Sequence, residues 1–177
     1  MKRILAIDPD SRGFGFAVIE DVPLRLVDWG EAVCVPDRLR KCAIRVESAI
    51  ELYRPDIVVV EEFKGIRAKR PPKMRAMFRT VLRIAKKADI KMRVIARNEI
   101  LRTFHLSEGA RKEEVAHAVA ALFPRLQTVL PRFRTAWMKE EYRMSLFDAV
   151  ALGLCALGSM ASQNEFKGEN APQKEKS

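Results

Sequence analysis

The chain of 177 residues has the length of one domain with a single hydrophobic core. Hydrophobic residues make up 48% of it, which excludes an intrinsically disordered chain, and no apolar run approaches the roughly 20 residues of a membrane-spanning helix. The formal net charge of +10 instead favours a protein that binds a polyanion, most commonly a nucleic acid.

The cysteines and the N-terminus predict a cytoplasmic protein. The apolar run at residues 4–7 is too short to be the core of a signal peptide. Cys34, Cys42 and Cys155 show no CxxC spacing, as is typical of a reduced cytosolic protein. The two histidines lie near no other soft ligand, so we expect no zinc site. Because no apolar run is long enough for a membrane span, we also expect no contact with a membrane.

The first third of the chain predicts three strands, a helix and a fourth strand. Asp10, Ser11 and Gly13 have the chemistry of a tight turn between the first two strands. Apolar residues then recur at helical spacing up to a break at Pro55. The predicted strands are residues 4–7, 14–20, 24–33 and 56–60, and the helix spans residues 37–53.

The remainder of the chain predicts one further strand among helices. A loop rich in Lys, Arg and Pro follows the fourth strand, and Asn98 is a candidate cap for a short helix. Residues 159–177 are polar, and we expect a disordered tail after a domain of residues 1–158. The predicted helices are residues 74–88, 98–104, 107–122 and 144–157, and the fifth strand spans residues 92–96.

This order of elements predicts an α/β fold around one mixed, five-stranded sheet flanked by helices. The first three strands are close enough in the chain to form an antiparallel meander. The later strands should be parallel, because strand–helix–strand connections are right-handed crossovers.

The positive charge is concentrated in residues 64–97, which we call the basic segment. It contains thirteen Lys or Arg residues and one acid, Asp89, so its local charge is +12 and the rest of the chain sums to about −2. A solvated helix face usually alternates acids with bases, which this segment does not. The charge pattern therefore favours contact with nucleic acid.

Three acids lie at the ends of apolar elements. Asp8 follows the first strand, Glu61 follows the fourth, and Asp148 heads an otherwise apolar helix. A carboxylate beside the core is costly unless it is paired or binds a cation. Oxygen ligands select Mg²⁺ or Mn²⁺ over zinc, so the pattern is consistent with a hard-cation site as well as with caps and surface acids.

Four motifs resemble those of RuvC-type Holliday-junction resolvases, which are nucleases of the RNase H-like superfamily. Residues 4–19, ILAIDPDSRGFGFAVI, resemble the family's opening strand and turn, and residues 54–61, RPDIVVVE, resemble its second motif. Residues 110–115, ARKEEV, resemble the start of its next-to-last helix, and residues 148–153, DAVALG, its final helix. The motifs occur in the family's order over residues 4–157.

The resemblance implies an RNase H-like fold and a two-metal endonuclease. Asp8, Glu61 and Asp148 would be catalytic and would bind two Mg²⁺ ions, for which Mn²⁺ can substitute. Lys112 would face the scissile phosphate, although a solvated lysine in the first turn of a helix is an equal alternative. The family also implies a homodimer that nicks a two-fold symmetric four-way DNA junction during recombination and repair.

The sequence departs from the family around the last acid. Resolvases of this family usually carry an acid or a His three residues before it, where this chain has Ser145, a poor metal ligand. The first turn has Asp10 where the family has Gly. We therefore consider Asp10, Glu140 and Glu141 as candidate substitute ligands. Gly13 and Gly15 are predicted to let the hairpin turn and to keep the approach to Asp8 open.

The basic segment is predicted to follow the DNA backbone. Phe63 is a candidate for stacking on an unpaired base, and a place in the core is an equal alternative. The candidate nucleic-acid-binding residues are Phe63, Lys64, Arg67, Lys69, Arg70, Lys73, Arg75 and Arg79.

Three other functions remain open at the level of the sequence. A related RNase H-like nuclease could act on RNA or on another branched DNA. A RuvC-like binding protein could have a site weakened at Ser145, although Asp8, Glu61 and Asp148 are all present. An actin-like ATPase lobe also begins with a strand, an Asp and a Gly turn, but that fold needs two such lobes and commonly a longer chain.

Overall fold

The computed structural model describes residues 1–35, 37–62, 71–131 and 143–169. It contains one five-stranded sheet of order β3-β2-β1-β4-β5. The strands are β1 (Arg3–Pro9), β2 (Gly13–Glu20), β3 (Arg25–Val33), β4 (Ile57–Glu61) and β5 (Lys91–Ile95). The helices are α1 (Arg38–Tyr53), α2 (Pro72–Lys87), α3 (Arg97–Thr103), α4 (Lys112–Leu122) and α5 (Met144–Glu169), with a 3₁₀ helix at Pro124–Val129.

The pairing of the strands confirms the predicted mixed sheet. β1 pairs with β2 and β2 pairs with β3 in antiparallel fashion, whereas β4 is parallel to both β1 and β5. The change from antiparallel to parallel occurs after α1, which is the first helix to cross from one strand to the next. The predicted fold class, an α/β fold with three antiparallel strands followed by parallel strands, is therefore confirmed.

Alternation along the central strands divides the core into two layers. In β1, Ala6 packs in the layer that contains α3, α4 and α5, while Ile7 packs in the layer that contains α1 and α2. In β4, Val59 faces the first layer and Val60 the second. This alternation, which follows from the period of two in a strand, determines the face on which the strand-end acids lie.

α5 packs closely against β2 at two glycines, Gly15 of β2 and Gly153 of α5. A Cβ built on Gly153 would lie 2.7 Å from Ile19 Cδ1, and one on Gly15 would lie 2.1 Å from the backbone carbon of Ser145. Gly15 is therefore required for the close approach of two backbones, whereas Gly153 leaves room for the side chain of Ile19. The space beside Gly15 is occupied by α5, so the prediction that this glycine keeps an open approach to Asp8 is wrong.

Several helix boundaries differ from the predicted ones. α3 has Ala96 rather than Asn98 at its N-cap, and the Glu99 side chain accepts a hydrogen bond of 3.1 Å from the Ala96 N–H. α4 begins at Lys112 rather than at residue 107, because Ser107 accepts a turn hydrogen bond from the Ala110 N–H. α5 continues past the predicted end at residue 157 to Glu169. The boundary of the domain at residue 158 stays a prediction.

Among the described residues, no helix has both the length and the apolar character needed to span a bilayer.

A buried carboxylate fastens the ends of β1 and β3 to β2. Glu20 is 1% exposed, and its Oε1 accepts hydrogen bonds from Arg3 Nε at 2.9 Å and Arg3 Nη2 at 2.7 Å. Its Oε2 accepts one of 2.7 Å from Arg25 Nη2. These bonds, from Arg3 and then from Arg25, hold the pKa of Glu20 below its ordinary value of 4.5.

Replacing Glu20 with Gln should lower the free energy of unfolding at neutral pH. Because the folded-state pKa of Glu20 is lowered, its stabilising contribution is present above pH 4.5 and is lost as the pH falls through the folded value. Urea titrations at several pH values should therefore show a deficit at pH 7 that narrows below pH 4.5. Glu47→Gln, on the exposed side of α1, is the control, and an equal deficit at every pH would contradict the assignment.

Candidate active site

Two of the predicted acids lie side by side at one end of the sheet. Asp8 follows Ile7 in β1 and Glu61 follows Val60 in β4, and Ile7 and Val60 are partners in the parallel register. Both carboxylates are 2% exposed. The alternation of the strands directs them to the same face as Ala6 and Val59, which is the face that α5 covers.

The third acid reaches this end of the sheet from α5. Gly15, the strand partner of Asp8, lies against the backbone of Ser145 in the first turn of α5. Asp148 follows Ser145 by three residues, so it projects from the same side of the helix. Asp148 is 3% exposed. The structure therefore brings the three acids predicted from the sequence to one end of the sheet.

Two cations face the Asp148 carboxylate. Lys112, the first residue of α4, places its Nζ 2.6 Å from Asp148 Oδ2. Arg97, the first residue of α3, places its Nη1 3.7 Å from Asp148 Oδ1. Lys112 was predicted from the family motif. Arg97 was not singled out, and its position two residues after β5, at the end of the basic segment, was the only sequence signal for it.

The three acids have the chemistry of a metal site, but their carboxylates do not surround a common point. Their ligand atoms are all oxygens, which Mg²⁺ and Mn²⁺ prefer. The ammonium group of Lys112 lies against Asp148. Within the described parts of the chain, no three acidic, His or Cys side chains are arranged as a ready group of ligands. The residues therefore fit a hard divalent cation in donor type and burial.

Asp10 and Ser145 are joined across the site. Asp10 Oδ1 accepts hydrogen bonds from the backbone N–H groups of Arg12 at 2.6 Å and Gly13 at 2.7 Å, which closes the β1–β2 turn. Asp10 Oδ2 accepts a hydrogen bond of 2.8 Å from the Ser145 hydroxyl. This bond connects the turn after Asp8 to the first turn of α5 and so links the supports of two of the acids.

The basic face of α2 is the described part of the predicted nucleic-acid surface. Lys73, Arg75 and Arg79 are exposed, while Met77 and Val81 pack in the core. A crossover helix runs back along its strands, so the first turns of α2 lie toward the carboxyl ends of β4 and β5, where Glu61 is. Phe63, Lys64, Arg67, Lys69 and Arg70 lie outside the described residues, as do Glu140 and Glu141.

Comparison with known sequences identifies similar proteins of one kind. None of the protein-family models matches the chain. It is 29% identical over 163 residues to a crossover junction endodeoxyribonuclease RuvC from Myxococcus xanthus, which covers 88% of this chain and 80% of that protein. It is 37% identical over 67 residues to the RuvC of Geobacter sulfurreducens, covering 34% of this chain and 41% of that one. The resemblance seen in the motifs is therefore confirmed over most of the chain.

Comparison with solved structures gives the same fold. Thermus thermophilus RuvC has a TM-score of 0.68 and 23% identity, covering 90% of this chain and 96% of that one. The same protein in complex with a Holliday-junction substrate has a TM-score of 0.69 and 22% identity, and the match covers 91% of this chain and 96% of that one. The Fowlpox virus resolvase with its substrate junction has a TM-score of 0.57 and 15% identity, and the match covers 88% of this chain and 99% of that one.

Replacing Ser145 with Asp should destabilise the metal-free protein by more than replacing it with Ala does. An Asp at this position brings a second carboxylate close to Asp10, and two like charges about 4 Å apart repel by about 4 kcal/mol near a protein surface. Ser145→Ala removes one hydrogen bond to a charged group, which costs about 1.5–3 kcal/mol. The measurement is the free energy of unfolding in EDTA.

A partial rescue of Ser145→Asp by adding Asp10→Asn would confirm that the two side chains meet. Equal stabilities of Ser145→Asp and Ser145→Ala would contradict the contact between position 145 and Asp10.

Proposed function

We propose that this chain, which resembles RuvC in sequence and has its fold, is a metal-dependent endodeoxyribonuclease that resolves Holliday junctions in recombination and repair. The observation that carries the proposal is that Asp8, Glu61 and Asp148, all buried, lie at the same end of the sheet. Fold likeness alone does not imply an activity, so the site and the sequence similarity over most of the chain are both needed.

The proposed enzyme depends on a divalent metal, and we assign it two Mg²⁺ ions, for which Mn²⁺ can substitute. Asp8 and Glu61 would hold metal from adjacent strands, and Asp148 from α5. When bound, such ions supply an activated water and stabilise the leaving oxygen of a phosphodiester. Asp8, Glu61 and Asp148 keep their carboxylates in place because each belongs to a strand or helix rather than to a loop.

The protein's own part is to fix geometry and to offset the charge of the phosphate. No protein nucleophile is required. We assign Lys112 a role at the scissile phosphate, because its ammonium group reaches the acid site from the start of α4 and is itself only partly exposed. A cation at this position offsets negative charge that develops on the phosphate during attack.

A ligand beyond the three acids belongs to the same proposal. Asp10 is the described candidate, since its carboxylate is fixed by the turn and reaches the first turn of α5 through Ser145. Glu141 remains a second candidate. Ser145 itself is better explained as the donor that orients Asp10 than as a metal ligand, because its hydroxyl is neutral.

We propose that the substrate lies along the end of the sheet that carries Asp8 and Glu61. The exposed Lys and Arg side chains of α2 would contact phosphates, together with Lys64, Arg67, Lys69 and Arg70, which precede α2 in the chain. Phe63 would stack on a nucleobase. A homodimer suits a four-way junction, because both have two-fold symmetry. We also propose that the protein acts in the cytoplasm.

A cleavage assay separates this function from its alternatives. The substrates are a four-way DNA junction, a forked duplex, a linear duplex and an RNA/DNA hybrid, each with Mg²⁺ and with EDTA. We expect paired nicks in the four-way junction that need Mg²⁺. Cleavage of the hybrid alone would identify a nuclease that acts on RNA, and binding of the junction without cleavage would identify a binding protein with a weakened site.

Asp8→Asn should reduce cleavage by at least about a thousandfold, comparable to the loss of a major electrostatic contribution, while leaving affinity for the junction unchanged or tighter. The change removes one charge at the acid site and preserves shape, and the basic surface that supplies affinity is untouched. Single-turnover cleavage and gel-shift binding are measured together. The matched control is Asp89→Asn, an exposed residue in the left-handed conformation, which Asn also adopts. Wild-type turnover in Asp8→Asn would refute the site.

Replacing Lys73, Arg75 and Arg79 with Ala should weaken binding to all DNA sequences alike. Each lost phosphate contact should also lower the log–log salt slope by about 0.9. Arg45→Ala is the control, because Arg45 is an exposed base on α1, outside the basic segment. Unchanged affinity and slope in the triple variant would show that the α2 face is only a solvated surface.

A further inference from the structure

Arg97 follows the end of β5 by two residues and lies beside Asp148. It is the first residue of α3, and its side chain is 20% exposed. Its Nη1 approaches Asp148 Oδ1, whereas Lys112 Nζ approaches Asp148 Oδ2. The Asp148 carboxylate therefore lies between two cations that come from the starts of two different helices.

The contact of Arg97 with Asp148 does not use the donors of the guanidinium group. The separation of 3.7 Å is too long for a hydrogen bond. Arg97 Nη1 is buried, and among the residues that the structure describes it has no hydrogen-bond acceptor. A buried donor without an acceptor costs about 1–3 kcal/mol, and more for a charged group.

A neighbouring arginine shows what a purely structural contact looks like in the same region. Arg93 Nη1 donates to the backbone carbonyl of Ala156 at 3.2 Å, and Arg93 Nη2 lies 3.5 Å from Glu99 Oε2. Arg93 thus joins β5, α3 and α5. Arg97, in contrast, carries a charge and an unsatisfied donor into the acid site, where Lys112 already provides an ion pair for Asp148.

We propose that Arg97 binds a phosphodiester group of the nucleic-acid strand that enters this site. The planar guanidinium presents paired N–H donors that match the two non-bridging oxygens of a phosphate, which a lysine ammonium does not. A phosphate beside Asp148 satisfies the buried Nη1 donor. Arg97 is then a substrate-binding residue that works with Lys112, and the inference rests on the proposed function.

The test is binding of a four-way DNA junction in EDTA, where binding is separated from cleavage. Arg97→Gln should weaken affinity about tenfold, as expected for a charge-assisted hydrogen bond, and lower the log–log salt slope by about 0.9. Arg97→Lys should keep the slope and still lose affinity severalfold, because it keeps the charge without the fork. Arg102→Gln is the matched control, because Arg102 is exposed on the same helix and donates to the Asn98 carbonyl.

A structural role would lower the melting temperature of Arg97→Gln without changing the salt slope of its folded fraction. Wild-type affinity and slope in Arg97→Gln overturn the inference while the proposed function stands, provided that the wild type binds and cleaves the junction. A wild type that neither binds nor cleaves DNA overturns both. Should Arg97→Gln fail to fold, Arg97→Lys decides, since wild-type affinity in that variant contradicts recognition by the guanidinium fork.

Discussion

The burial of three carboxylates at one end of an apolar sheet is the constraint on which the site depends. Asp8, Glu61 and Asp148 are each at most 3% exposed. Removing a carboxylate from water costs several kcal/mol unless opposite charge or hydrogen-bond donors compensate. Partners for these charges must therefore be close by, and Lys112 and Arg97 are positioned beside Asp148. A site that combines buried carboxylates with Lys112 and Arg97 is suited to bind metal cations and the phosphate groups that such cations contact.

Two glycines and one hydrogen bond position α5 against the sheet beside these acids. Gly15 lets the backbone of α5 touch β2 beside Asp8, and Gly153 lets the same helix touch Ile19 further along that strand. The Ser145 hydroxyl then binds Asp10 in the turn that follows Asp8. The close backbone approach at Gly15 and the Ser145 hydrogen bond thus hold the first turn of α5 over the end of β1.

The strand-end acids could be predicted because a strand fixes both position and direction. Asp8 and Glu61 each follow a short apolar run, and parallel neighbours bring their carboxyl ends to one edge. Arg97 could not be predicted, because its approach to Asp148 depends on how α3 packs against α5. The bond between Asp10 and Ser145 joins residues 135 positions apart, and no local pattern carries that information. The start of α4 was mistaken because Ser107 forms a turn instead of a cap.

The central claim is that these buried carboxylates form a site for divalent metal, and anomalous diffraction from crystals soaked in Mn²⁺ tests it directly. We predict anomalous peaks within about 2.5 Å of oxygens from Asp8, Glu61 and Asp148, with Lys112 Nζ moved away from Asp148. Crystals of Asp8→Asn should lose the peak beside Asp8. A wild-type crystal at saturating Mn²⁺ that shows no peak at this end of the sheet, or a peak only at surface acids, would contradict the account.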